Sequence, residues 1–311
     1  MTTRNSVVVA QQGGLAGATA LAGPPAAGLW RDAFRRLRKS PLAFASGLLL
    51  IGLVVVAILA PAVAPFPYEE QHYDALTRPP GAPYWLGTDA LGRDILSRLI
   101  FGARISLTVG LVVQAVILLI GVPAGLVAGF YGGKIDTVLM RLVDVLYSIP
   151  SLLFIIVVMT FLRARFQAAH GGFGGTLASL DDRTGGLVGV VRSQVVSLKR
   201  KEFVEAARAL GAGDRRIMAQ HLLPNVVATI VVTATLGIPQ AIVYEAGISF
   251  LGLGARPPMP SWGLMISEAI PNLRAYPYML VSPALALSLT VLAFNFLGDG
   301  LRDALDPWMK R

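Results

Sequence analysis

From Ala43 to Ala64 the chain carries no charged side chain. A helix over that run is long enough to cross the ~30 Å hydrocarbon core of a bilayer. Comparable apolar runs follow from Ile105 to about Phe130, Leu142 to Leu162, Val226 to about Ile248 and Tyr278 to about Leu297. The composition agrees with a membrane protein. Of the residues 54% are hydrophobic and 14% charged, where a soluble domain carries about 25% charge. The fold class that follows is all-α, a polytopic helical bundle in a membrane.

Charge placement orients the bundle. Arg31, Arg35, Arg36, Arg38 and Lys39 immediately precede the first apolar run, which argues for a cytoplasmic N-terminus. The alternative use of the cluster is binding anionic lipid headgroups, and topology is the blander account. The net charge of +9 is explained by such clusters beside apolar spans, so nucleic acid is not an expected partner. Residues 1–28, rich in Ala, Gly and Val, read as a disordered tail. The apolar stretch Val7 to Ala10 is too short for the core of a signal peptide. Residues 29–104 read as a cytoplasmic segment, first span and extracytoplasmic segment, and 105–311 as the core of the bundle.

Inside that core lies one long, strongly charged segment, Lys199 to Asn225. Phe203, Ala207 and Leu210 fall at i, i+4 and i+7, so Glu202 to Leu210 reads as a short amphipathic helix. Gly211 and Gly213 are its terminators. Asp214 is placed to cap a second helix running towards Pro224. Lys201 and Glu205, and Glu205 and Arg208, have the spacing of paired charges on one face. Ala206, Ala207 and Gly211 are small enough to let another protein approach closely.

Glu205-Ala206-Ala207, then Gly211, then Leu223-Pro224 resembles the EAA loop of bacterial ATP-binding-cassette (ABC) importer permeases. In that family the loop is a coupling helix seated in a groove of a cytoplasmic ATPase. The resemblance therefore marks Glu202, Glu205, Ala206, Ala207, Gly211, His221, Leu223 and Pro224 as the ATPase-coupling loop. His221 stands where the general pattern has Ile, which is similar to the dipeptide/oligopeptide branch. Three more blocks resemble that branch and its C-type subunit: Gly87-Thr88-Asp89 through Gly92-Arg93-Asp94, Ser97-Arg98 and Gly102 to Leu107; Glu245 to Gly263; and Gly298 to Pro307.

The resemblance implies a type I ABC importer transmembrane domain of about six spans, a non-catalytic subunit of a peptide importer in the bacterial inner membrane. It implies a second permease subunit, two cytoplasmic ABC ATPase subunits or domains and an extracytoplasmic binding protein as partners. No cofactor is bound directly, since ATP is held by the partners. The alternatives are a nickel or other small-solute importer permease, and a transport-inactive membrane scaffold.

The scaffold alternative arises because no run of about 20 apolar residues exists between 163 and 225, where the family has its fourth span. The expected solution is a short or re-entrant crossing by Thr184 to Leu198. That segment covers only about 22 Å and has Arg192 inside it. Without a crossing, the basic loop would lie outside the cell.

Several polar residues have two readings. Asp144, near the inner end of the third span, is either a pathway residue or the ion-pair partner of Arg141. Glu245 either faces the pathway or pairs with a protein donor such as Arg256 or a backbone N–H. Asn295 and Gln114 are placed for hydrogen bonds to other spans. Trp262 fits an interfacial anchor. Asp94 to Arg104 reads as an interfacial helix with Arg93, Arg98 and Arg104 towards water. Gly110, Gly121, Gly125 and Gly129 supply surfaces for close helix packing.

Other chemistry is absent from the sequence. There is no phosphate-binding Gly-x-x-x-x-Gly-Lys-Ser/Thr and no cysteine. The three histidines, His72, His170 and His221, lack metal-ligand spacing.

Overall fold

A computed structural model describes residues 26–150, 153–154, 156–157, 182–255 and 257–305, with backbone alone for 26–30 and 182. The described residues are helical apart from turns and two isolated β-bridges. A backbone crossing hydrocarbon must satisfy its own hydrogen bonds, and a helix does so within one segment. Nine helices carry the argument below: α1 (Ala26–Leu37), α2 (Pro41–Ile58), α3 (Ile95–Tyr131), α4 (Gly133–Ser148), α5 (Asp182–Leu198), α6 (Glu202–Ala209), α7 (Asp214–Phe250), α8 (Trp262–Ala269) and α9 (Tyr278–Leu305). Helix α1 begins within the stretch expected to be a tail; residues 1–25 lie outside the described residues.

Among the described residues, α2, α3, α7 and α9 are long and apolar enough to cross a membrane. Their outward faces are apolar, as lipid requires: Leu48, Ile51 and Ile58 of α2 are each more than 60% exposed. The third expected span starts within α4 and runs on into residues outside the described set. Its neighbour α5 is the short fourth helix. Its 17 residues span about 25 Å.

Helix α5 is held by a stripe of glycines one helical turn apart. Gly121 of α3 meets Leu187, Gly125 meets Val191 and the Val188 carbonyl, and Gly129 meets Val195 and the Arg192 carbonyl. A Cβ at any of the three would come within 3.0 Å of these atoms. Such close approach is how helices associate in lipid, where apolar burial alone gives no driving force. The only charge in the middle of α5, Arg192, is neutralised by α4: its Nε and Nη2 donate to the two carboxylate oxygens of Asp136, each at 2.5 Å. Lys199, just past α5, donates from Nζ to the Gly129 and Phe130 carbonyls at 2.7 and 3.2 Å, at the negative end of α3.

These contacts settle the direction of each helix in the bundle. Both helices ascend through 121/187, 125/191 and 129/195, so α5 runs parallel to α3. Helix α4 runs antiparallel to α5, since Asp136 meets Arg192 while Val143 and Tyr147 meet Gly185. Helix α7 is antiparallel to α3, with Gly110 against Ile242 and Ile238 and Gly237 against Gln114. At the last turns of α9, Gly300 packs on Ala43 and Leu37. The basic segment before α2, the end of α3, the end of α9 and the loop Lys199 to Asn225 therefore share one end of the bundle, here the loop end. Residues 65–94, 251–255 and 257–277 occupy the far end. The short helix α5 returns the chain to the loop end, which removes the parity problem posed by the sequence.

Candidate functional site

At the loop end, α6 has Glu202 and Glu205 in its first turn and Arg208 in its last, each favourable to the helix dipole. Its inward side is Val204 and Ala207, buried in one cluster with Val195, Ile217, Leu222, Val226 and Phe130. Phe203 and Leu210, expected on the apolar face, are instead 39% and 89% exposed. The helix thus has two apolar faces, one spent on its own bundle and one free. Ala206 is exposed beside Glu202 and Glu205 on the free side. Neither Lys201–Glu205 nor Glu205–Arg208 appears among the ion pairs of the described residues.

Gly211 closes α6 in a Schellman arrangement. The Ala212 N–H donates to the Ala207 carbonyl at 3.0 Å and the Gly211 N–H to the Arg208 carbonyl at 2.9 Å, which meets the end-of-helix acceptors. Gly211 adopts φ +81°, a conformation that costs an L-residue roughly 1–2 kcal/mol. Its Cβ position faces open space. Within this chain the spacing Ala207 to Gly211 is thus a backbone requirement, and Gly211 leaves room above the turn for another molecule.

Asp214 does not cap the following helix as expected. Gly213 holds the N-cap position without a side-chain bond, and Asp214 is the first residue inside α7. Three residues on, Ile217–Leu222 form a π-helical turn whose last bond runs from the Leu223 N–H to the Met218 carbonyl. Pro224 accounts for it, because it has no N–H to return to Gln220 and its ring crowds that carbonyl. Asn225 Nδ2 donates to the His221 carbonyl at 2.6 Å. His221 itself is half-buried, Leu223 half-buried and Pro224 exposed. Single π-turns of this kind often mark sites where helices must adjust.

The far end decodes differently. Asp89 accepts from the Leu91 and Arg93 N–H groups at 2.9 and 3.0 Å, and from Arg93 Nε and Arg98 Nη1 at 2.7 and 2.6 Å. Glu268, at the end of α8, lies 3.0 Å from Arg93 Nη2 and 2.8 Å from Arg98 Nη1. Asp94 caps α3 by accepting from the Ser97 N–H and hydroxyl at 2.8 and 2.7 Å. Arg93 and Arg98 are therefore buried, 4% and 1% exposed, rather than facing water; Arg104 is exposed. The expected interfacial helix is simply the first turns of α3. Trp262 is likewise core rather than anchor: it is 1% exposed and its Nε1 donates to the Leu99 carbonyl at 3.1 Å.

Three singled-out polar residues separate. Glu245 is buried among serines, accepting from Ser249 Oγ at 2.7 Å and Ser106 Oγ at 3.3 Å. The two serines supply the protein donors to Glu245, and Arg256 lies outside the described residues. Asp144 is exposed, with Arg141 Nη1 at 4.0 Å. It sits about 17 Å along α4 from Gly133. Asn295 faces outward and makes no hydrogen bond within the described residues. Sequence reading missed Glu268 altogether, since nothing local ties it to Arg93 across 175 positions.

A helical bundle with four helices long and apolar enough to cross a membrane, and with one free apolar helix face at its loop end, is the frame of a multi-span membrane protein. The chain belongs to the family described as binding-protein-dependent transport system inner membrane component, which matches residues 121–311. Residues 28–80 match the N-terminal TM domain of oligopeptide transport permease C. It is 40% identical to the dipeptide transport system permease protein DppC of Alkalihalophilus pseudofirmus, over 90% of both chains. It is also 40% identical to the oligopeptide transport system permease protein OppC of Bacillus subtilis, over 91% of both. To the glutathione transport system permease protein GsiD of Escherichia coli it is 43% identical, over 90% of this chain and 91% of that one. A solved structure of the MetNI methionine ABC transporter has the same fold, with TM-score 0.54 and 20% identity over 68% of this chain and 98% of that one. As a member of this family the chain is a multi-pass membrane component without catalysis of its own, acting in a complex with a binding protein and a separate ATPase.

Proposed function

We propose that this chain forms half of the translocation pathway of an ATP-driven peptide importer, with a second permease subunit and two ATPase subunits or domains completing the complex. Peptide as the cargo is supported by the dipeptide, oligopeptide and glutathione transport named for its relatives. A nickel importer has no such support. The loop end is cytoplasmic, where its cations belong.

The observation that carries the coupling role is the pair of faces on α6. Phe203, Glu205, Ala206 and Leu210 are open to the ATPase, while Val204 and Ala207 are keyed into a cluster shared by α3, α5 and α7. Displacement of α6 by the ATPase is thereby felt by three spans at once, and the π-turn at Ile217–Leu222 is where α7 yields. The snug seat of α5 also speaks against the scaffold alternative, because the shortened helix is packed and neutralised rather than broken.

Asp144 supports a further detail. Asp144 and its ion-pair partner Arg141, 65% and 80% exposed on their side chains, are costly against lipid at that depth. This face of α4 therefore turns to the second permease subunit or the water-filled pathway. Reconstituted complex carrying a photo-crosslinker at Leu210 should capture the ATPase, and vesicles should take up a labelled tripeptide with ATP. Crosslinking to lipid alone, or uptake of Ni²⁺ without peptide, would contradict the reading.

A further inference from the structure

Helix α1 and the bend that follows it carry a surface the transport reading does not use. Residues 31–39 hold five cations against one carboxylate, Asp32. At 100° per residue, Arg31, Phe34, Arg35 and Arg38 fall within one arc of roughly 100°. All four are exposed, Phe34 by 53%. The opposite side is spent on the bundle: Ala33 is 4% exposed, and Leu37 packs at Gly300 of α9. The Arg38 guanidinium lies 4.6 Å over the Phe34 ring, so cation and aromatic act as one amphipathic surface.

The position of this arc fixes what it meets. Only Arg38, Lys39 and Ser40 separate α1 from α2, and α2 is a lipid-exposed span from its first turn, with Leu42 62% exposed. Ser40 stands at the N-cap of α2 without a side-chain cap bond, leaving the positive end of that helix beside Arg38 and Lys39. A bilayer around α2 would bring its headgroups to the level of Arg38 and Lys39 and its acyl chains to Leu42.

We infer that Arg31, Arg35, Arg38 and Lys39 form a binding surface for anionic phospholipid headgroups, holding α1 in the plane of the membrane. Charge complementarity selects the lipid class, because basic clusters beside a span attract anionic headgroups through charge.

The test is lipid binding to the full-length chain in detergent, read by native mass spectrometry with phosphatidylglycerol and phosphatidylcholine of matched acyl chains. Wild type should prefer phosphatidylglycerol by about ten-fold or more. Arg31→Gln/Arg35→Gln/Arg38→Gln/Lys39→Gln should lose that preference, while Lys201→Gln/Arg208→Gln/Arg215→Gln/Arg216→Gln, which removes the same charge elsewhere, should keep it. Should the first variant fail to fold, salt on wild type decides. The preference should collapse near 1 M ammonium acetate, where the Debye length is about 3 Å. Retention in the first variant, equal loss in both variants, insensitivity to salt, or displacement by inorganic phosphate at an ionic strength where the monovalent salt has no effect would each overturn the inference.

Discussion

The two ends of this bundle carry similar-looking charged strings beside apolar spans, and the structure treats them in opposite ways. At the far end Asp89, Arg93, Arg98 and Glu268 neutralise one another within hydrogen-bond distance and are largely buried. At the loop end Lys201, Glu202, Glu205, Arg208 and Arg215 are exposed, and no ion pair joins them among the described residues. Charges that satisfy each other hold a fold. On the proposed function, the charges left open beside a free apolar face meet a partner.

That contrast predicts graded consequences of mutation. Arg98→Leu leaves Asp89 and Glu268 short of a buried cation, and breaking such a pair costs about 3–5 kcal/mol. Loss of the folded species in detergent, followed by thermal unfolding, is the expected outcome; wild-type unfolding would mean the cluster is not structural. Gly125→Leu drives a side chain into Val191 and the Val188 carbonyl. Overpacking of that kind costs about 1–3 kcal/mol. Expected results are a lowered unfolding temperature and lost uptake as α5 is pushed off α3.

At Gly211 two requirements can be separated. Gly211→Asn accepts positive φ and should unfold nearly as wild type, whereas Gly211→Leu should lose roughly 1–2 kcal/mol. If the ATPase also needs the open space above the turn, both variants lose ATP-driven uptake. Full uptake by the Asn variant would restrict Gly211 to its backbone role. Leu210→Ala is the smallest change: surface substitutions of this kind stay within about 0.5 kcal/mol. Its unfolding should be unaltered while uptake falls, and unaltered uptake would remove Leu210 from the coupling contact.

Much of this was legible in the sequence, for reasons that differ by element. The long spans announce themselves by length without charge, and Gly211 by its place as a terminator after the short amphipathic helix. Helix α5 was half legible. Leu187, Val191 and Val195 lie on one stripe, but the stripe acquires meaning only against Gly121, Gly125 and Gly129, dozens of residues upstream. Periodicity chose Phe203 and Leu210 over Val204 because α6 is apolar on two sides, and a pattern does not say which side belongs to the chain's own core. Ser249 lies one turn from Glu245 and was within reach. Ser106 and Glu268 are brought in by tertiary structure alone.

The most direct test asks on which side of the membrane the two ends lie. The chain has no cysteine, so Glu69→Cys at the far end and Gly213→Cys at the loop end are single reporters. Both sites are exposed, and nothing lies within 4 Å of a Cβ at Gly213. With a membrane-impermeant thiol reagent on intact cells, the Cys at position 69 should label and the one at 213 should label only after lysis. Labelling at 213 from outside would put the loop beyond reach of an ATPase and contradict the coupling role.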